Sequence, residues 1–270
     1  MICLIAVDLE GVHGVVGEPY KGLLKELPDY QKAVENATKE VNSVVAALSE
    51  VGATQIWVWD NHGGKPNLDF SKIDARAKNA NPSPKGITRL DFVKELGIEK
   101  VFYIGYHSRE GSLGGVLAHT YSSVDIQYIK VNGKQIGEIE FDSWLAAEFG
   151  ADSVFVASDD VCVGQVRDYD ENIVTAVTKI GTGRNSAVFK DPQVVLQEIA
   201  EGVKLAVAAE IHTKKLCFPC QVEMRFTRVE FAAYEYENMR SQLPAIVYGE
   251  DAHTLCATVQ NVDELRVFLT

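Results

Sequence analysis

No apolar run in this sequence approaches the ~20 residues that a membrane-spanning helix needs, which argues against a membrane partner. The apolar start, Met1 to Val7, is short for the core of a secretory signal, has no basic flank, and runs straight into Asp8 and Glu10. A soluble, cytoplasmic protein is expected. Positive charge is also scarce: 26 basic side chains face 38 acidic ones, for a formal charge of −12. A surface of that sign is poorly suited to phosphate backbones, so nucleic acid is an unexpected partner. Cysteines are few and scattered: Cys3, Cys162, Cys217, Cys220 and Cys256 form an odd set, as in proteins of a reducing compartment. Cys217-Phe-Pro-Cys220 has CxxC spacing, but no second Cys pair or His pair follows to complete a structural zinc site, and the pair reads as two cysteines near a turn. Internal repeats and Pro/Ser-rich linkers are missing as well. The composition is otherwise ordinary, 46% apolar and 24% charged, so function must rest on particular residues.

The chain reads as alternating strands and helices. Strands are expected at Ile2–Val7, Gln55–Trp59 and Val101–Tyr106. Between the first two, Ala33, Val34, Ala37, Val41, Val44, Val45 and Leu48 mark one helix face, with Asp29 as its expected N-cap and Gly52 just past its end. A short helix near Leu90–Leu96 follows a loop rich in Asn and Pro at Asn79–Gly86. Asp125–Val131 alternates apolar and polar residues up to Asn132-Gly133, a strong hairpin signal, returning through Gln135–Gly137 to a helix at Glu138–Phe149. Strands at Val154–Ala157 and Ile173–Lys179 and a helix at Pro192–Ile211 come next, and β-rich stretches from about Gln221 complete the chain. The expected fold is α/β, with a central, mostly parallel sheet, flanking helices and a second, interwoven mixed α+β lobe. Residues 1–270 form one catalytic unit or two interwoven lobes, about 1–215 carrying the candidate site and about 216–270 completing the fold.

In parallel α/β sheets, ligands bind at the carboxyl ends of the strands. Three such ends carry metal-ligand residue types: Asp8 and Glu10, His62, and His107. A lone Asp there is commonly a helix cap and a lone His a hydrogen-bonded residue, but four on one sheet edge converge. Asp8 and Glu10 face the same side of extended chain and repel each other unless a cation or proton intervenes. No Lys or Arg occurs within residues 1–20, so that charge must come from elsewhere in the fold or from a metal. Two imidazoles and two carboxylates suit zinc better than magnesium or calcium.

Five short motifs stand in order: Val7-Asp8-Leu9-Glu10-Gly11, Asp60-Asn61-His62, Gly105-Tyr106-His107, Ala118-His119-Thr120 and Gly137-Glu138. Together they resemble the D-x-E-G, D-x-H, G-Y-H, small-His-hydroxyl and G-E motifs of the M55 metallopeptidases. The resemblance implies that Asp8, Glu10, His62, His107 and Glu138 ligate two zinc ions, Asp8 bridging, and that His119 is the unligated catalytic residue. Glu138 and the role of His119 rest on this resemblance. Read alone, Glu138 is one of several acids on its helix, with Glu140, Asp142 and Glu148, and His119 could equally be a ligand. Ser158-Asp159-Asp160 and Arg184-Asn185-Ser186-Ala187 resemble two further family segments; helix capping for the two acids and a surface loop for Arg184 compete evenly with a substrate role. Asp142-Ser143 departs from the expected Asn-Ala, and His13, His212 and His253 read as structural.

The implied activity is that of a zinc-dependent aminopeptidase, which removes an N-terminal residue, a D-amino acid such as D-Ala, from short peptides. Two zinc ions would activate a water, with His119 as acid/base at its ordinary pKa near ~6.5. A homodecamer is the family precedent. The alternatives are a dinuclear amidase or phosphoesterase, for which the motif region offers only Lys65 and Arg109 as basic anchors, or a non-catalytic peptide-binding relative. Because the expected ligand set contains no sulfur, replacing both Cys217 and Cys220 by Ser should leave zinc content and turnover nearly unchanged. Loss of one zinc equivalent, measured by inductively coupled plasma mass spectrometry, would reveal a site at this CxxC pair.

Overall fold

The apolar run at the start of the chain forms β1 (Ile2–Val7), covered on both sides: Cys3, Ile5 and Val7 point into one core and Leu4 and Ala6 into another, with the two-residue period of a strand. The computed structural model describes residues 1–63, 66–80 and 89–269. Lys65 and most of the Asn79–Gly86 loop therefore lie outside the described residues.

Strand β1 pairs in parallel with β2 (Gln55–Asp60) on one side and β4 (Lys100–Ile104) on the other. The described sheet runs β3 (Ala77–Asn79), β2, β1, β4, β7 (Asp152–Asp159), β8 (Val174–Gly183), β9 (Ser186–Phe189). Only β9 is antiparallel to its neighbour. Burial on both faces explains the continuous apolar runs of β1 and β4. Helices α1 (Pro28–Glu50) and α5 (Pro192–Ala208) cover one face, while α2 (Phe92–Leu96), α3 (Glu138–Glu148) and α4 (Asp160–Tyr169) cover the other. Strands β3 and β9 were not anticipated, being edge strands of only three and four residues.

Helix α1 buries the expected face, Ala33, Ala37, Val41, Val44, Val45 and Leu48. Its N-cap differs from the expectation. The helix begins at Pro28, whose fixed φ suits a first turn, after Leu27. The Asp29 carboxylate turns outward and accepts hydrogen bonds from the Val16 and Gly17 amides at 3.2 and 2.8 Å, tying down the loop that follows β1. Helix α5 is capped by Asp191 as its sequence suggests and ends at Ala208, short of Ile211.

A second sheet is wholly antiparallel, in the order β11 (Val247–Tyr248), β12 (Thr254–Val259), β10 (Cys220–Phe226), β5 (Ile126–Val131), β6 (Lys134–Ile136). Helices α6 (Val229–Arg240) and α7 (Val262–Arg266) accompany it. The β5–β6 turn has positive φ at both Asn132 and Gly133, 49° and 79°, as a two-residue primed turn requires. This hairpin delivers Gly137 to the start of α3, which lies between the sheets: Ile139, Leu145 and Ala146 join the core under the parallel sheet, and Phe141 joins the core of the antiparallel one. Cys217 is exposed, whereas Cys220 is buried at the start of β10.

At the carboxyl edge, the chains leaving β1 and β4 meet backbone to backbone. The Gly11 amide donates to the Gly105 carbonyl at 2.7 Å. A Cβ on Gly105 would sit 2.1 Å from the Asp8 carbonyl oxygen, and one on Gly11 would sit 1.9 Å from that of Tyr106. Gly105→Ala, at φ +74°, combines this overlap with left-handed backbone strain and should destabilise by about 3 kcal/mol or more. Gly111→Ala, at φ +77° in open space, should cost only about 1 kcal/mol. Urea denaturation measures both, and equal losses would show that the close approach contributes nothing.

Candidate metal centre

Asp8 follows β1 directly, and its carboxylate reaches two histidines from neighbouring strand ends. Its Oδ1 lies 2.9 Å from His62 Nδ1, and its Oδ2 lies 3.5 Å from His107 Nε2. Glu10 approaches the same His62 nitrogen at 3.1 Å. Glu138, the first residue of α3, places Oε1 3.3 Å from His107 Nε2. The five expected ligands therefore converge. Donor atoms of Asp8, Glu10 and His107 all lie within 4.8 Å of one another, as do those of His107, His119 and Glu138. This second grouping leaves the geometry compatible with His119 as either a neighbour or a ligand. The ring of His119 stacks on that of His107 with centroids 3.9 Å apart and planes 13° apart.

Hydrogen bonding assigns the tautomers. His107 Nδ1–H donates to the Ser108 carbonyl at 3.1 Å, and His119 Nδ1–H donates to the Leu117 carbonyl at 2.8 Å. Both imidazoles thus keep Nε2 as the nitrogen with a lone pair when neutral. His107 Nε2 is buried and, among the described residues, has no hydrogen-bond partner, although carboxylates flank it. A buried polar atom is costly without a partner, and a cation between His107, Asp8 and Glu138 would supply one. The residues fit zinc, with mixed nitrogen and oxygen donors and backbone carbonyls holding the outer imidazole nitrogens.

The electrostatics of the bare chain agree. Burial, then the adjacent Glu10 carboxylate, pushes Asp8 up to about 7. Burial would also raise Glu10, but His62 outweighs it and holds Glu10 well below the usual carboxylate range. Burial is likewise overcome at Glu138, which His107 holds near about 2. The two histidines are drawn up against burial, His62 to about 11 chiefly by Glu10 and His107 to about 10 chiefly by Glu138. His119 moves the other way, lowered by burial and by the charge on His107. Three carboxylates thus hold protons on imidazoles where a metal would otherwise stand.

The residues around this cluster are tied down by hydrogen bonds as well. Asp60, the first residue of the His62 motif, accepts from the Asn67 and Leu68 amides at 2.6 and 3.0 Å, and Asn67 in turn donates to the His62 carbonyl at 2.9 Å. Arg89 grips buried Asp142 with two nitrogens, donates to Asn61 Oδ1 at 3.0 Å, and stands 3.7 Å from Glu138 Oε2. Tyr106 Oη donates to the same Asp142 at 2.7 Å, and the Tyr121 amide donates to Glu138 Oε1 at 2.9 Å. The Asp142 departure is therefore one half of a buried ion pair. Lys179, fully buried, gives its ammonium protons to the carbonyls of Glu10, Val12 and Val15, pinning the loop that carries Glu10. Arg89 and Lys179 escaped the sequence reading, which named Asp142 only as one acid of its helix and as a departure from the expected Asn.

The remaining candidates separate cleanly. Asp159 caps α4, accepting from Cys162, and also takes the Val116 amide at 3.3 Å; Asp160 takes the Gly181 amide at 2.7 Å. Both shape the walls near His119 without lining the cavity. His13 Nε2 donates to the Lys190 carbonyl, His212 lies beside Asp152, and His253 donates to the Phe226 carbonyl, all away from the cluster. Arg109 pairs with Glu140 at 3.7 Å. Arg184, in contrast, lines the cavity of about 780 Å³ into which Asp8, Glu10, His62, His119 and Glu138 open.

Comparisons with known proteins give the family and the fold. A D-aminopeptidase of Bacillus subtilis (strain 168) is 23% identical over 256 residues, covering 95% of this chain and 89% of that protein. The solved structure of the Zn-dependent D-aminopeptidase DppA from Bacillus subtilis, a self-compartmentalizing protease, superposes with a TM-score of 0.87 at 18% identity, over 100% of this chain and 96% of that one. The model of the M55 peptidase family, D-aminopeptidase, matches residues 1–270, and with the fold shared from end to end the chain belongs to that family.

Proposed function

We propose that this peptidase is a zinc-dependent D-aminopeptidase that releases an N-terminal D-residue such as D-Ala from short peptides in the cytoplasm. Asp8, Glu10, His62, His107 and Glu138 would hold two zinc ions, and His119 would carry the proton. The observation that carries the reading is the buried, unpartnered Nε2 of His107 between Asp8 and Glu138, in a cluster built from three strand ends and a helix start. Asp8 directs one oxygen toward His62 and the other toward His107, which supports it as the ligand shared by two ions. Bound zinc supplies a Lewis acid and lowers the pKa of water toward about 7.

The chain's own residues supply orientation and proton transfer. The Leu117 carbonyl holds His119 in the tautomer whose Nε2 can accept a proton, and burial, with the charge on His107, shifts that ring toward its neutral form. A neutral imidazole can take a proton during attack and return it to the leaving amine. His107, with Arg89 behind it, keeps Glu138 ionised, and the Tyr121 amide holds its Oε1 in place. Glu18 and Glu110 add negative charge to the cavity wall, favourable for the substrate's free ammonium. A homo-oligomer, a decamer by family precedent, completes the reading: the solved neighbour is a self-compartmentalizing protease, and here Tyr20, Leu24 and Val124 stand exposed around the cavity mouth.

Protein reconstituted with zinc should carry about two equivalents per chain, with Asp8→Ala losing both and Glu10→Ala or Glu138→Ala mainly one. One equivalent or fewer in the parent protein would end the dinuclear reading.

His119→Ala should keep its zinc and melting temperature yet lose on the order of 10²–10⁴-fold in kcat toward a D-alanyl p-nitroanilide, the usual share of a general acid–base group. Loss of zinc would make His119 a ligand; normal turnover with full zinc would remove it from the mechanism.

A further inference from the structure

We propose that Arg184 is the anchor for the C-terminal carboxylate of the substrate, so that the site reads both ends of a short peptide. The inference rests on the aminopeptidase reading. The described cavity wall carries the carboxylates of Asp8, Glu10, Glu18, Glu110 and Glu138 and three cations, Lys21, Arg89 and Arg184. Two of these cations are already paired. Lys21 stands 3.7 Å from Glu18, and Arg89 is clamped on Asp142. Among the described residues Arg184 pairs with no carboxylate: its one hydrogen-bond acceptor is the carbonyl of Ala118, leaving most of its five N–H donors unused.

That arginine is held in place rather than loose. It sits where β8 turns into β9, and its own carbonyl accepts from the Leu117 amide at 2.8 Å, while Asn185 beside it donates to the Val16 carbonyl at 2.9 Å. Main chain and side chain thus grip the Leu117–Ala118 segment that immediately precedes His119. An unpaired, fork-shaped cation next to the proton-carrying residue, in a cavity otherwise dominated by acids, gives the site a polarity. The ammonium end of a zwitterionic peptide is drawn to the carboxylates and the opposite end to the guanidinium, which matches carboxylate geometry with two parallel hydrogen bonds. A single fixed cation also limits length, because each added residue moves the carboxylate by up to about 3.3–3.6 Å.

The test compares D-alanyl-glycine with its C-terminal amide, each assayed on the same enzyme preparation, so that the ratio of the two kcat/KM values is independent of the fraction folded. The parent protein should prefer the free acid by about 10- to 100-fold, as expected for a charge-assisted hydrogen-bonded pair. Arg184→Gln should bring the ratio close to one, and Arg184→Lys should retain part of it. Equal values for acid and amide in the parent protein, or an unchanged preference in Arg184→Gln, would overturn the subsite while leaving the aminopeptidase reading standing. Failure of the parent protein to hydrolyse either compound, or any other D-aminoacyl peptide, would overturn that reading and the subsite with it.

Discussion

Three buried carboxylates, buried His107 and partly buried His62 lie within a few ångströms of one another and dominate this molecule. Asp8, Glu10 and Glu138 are each nearly removed from water, where unneutralised negative charge is expensive. The bare chain answers by holding protons on His62 and His107, which leaves one histidine nitrogen without an acceptor between two acids. A divalent cation relieves both conditions at once, and most of the surrounding architecture can be understood as keeping that arrangement rigid.

Two devices do so from opposite sides. Behind the first strand, Lys179 satisfies three loop carbonyls, and Glu40 accepts the His13 amide at 2.8 Å, so the loop carrying Glu10 is held by buried charges rather than by regular structure. Burial pushes Lys179 down to about 8 and Glu40 up to about 7, which indicates how little solvent reaches them. On the other side, the Arg89–Asp142 pair, buttressed by Tyr106 and Asn61, keeps positive charge near Glu138. Breaking one partner of such a buried pair leaves the other uncompensated, so these residues matter more than surface ion pairs of similar length.

The antiparallel sheet contributes by placing a helix. The primed turn at Asn132-Gly133 reverses the chain so that α3 begins at the edge of the parallel sheet, with Glu138 at its first position. Because α3 is packed between two cores, its acids Glu138, Glu140 and Asp142 are buried instead of forming the solvated face that their spacing suggests.

By itself the sequence determined the parallel sheet, its principal helices and four of the residues that cluster at its carboxyl edge, because those features follow local periodicity and strand-end position. Ile2–Val7 is apolar at every residue since both its faces are covered; Asp8 follows its strand directly, and His62 and His107 lie just past the ends of β2 and β4. Asp29 was misassigned because Asp and Pro signals at a helix start overlap, and the proline took the first turn while the carboxylate bound a distant loop. What tertiary structure alone decided was partnership across long separations. Glu138 meets His107 across 31 residues, Arg89 finds Asp142 at 53 residues' distance and Lys179 finds Glu10 at 169. Local propensity carries no information about such contacts, since a buried charge is recognisable only once the burial and its partner exist together.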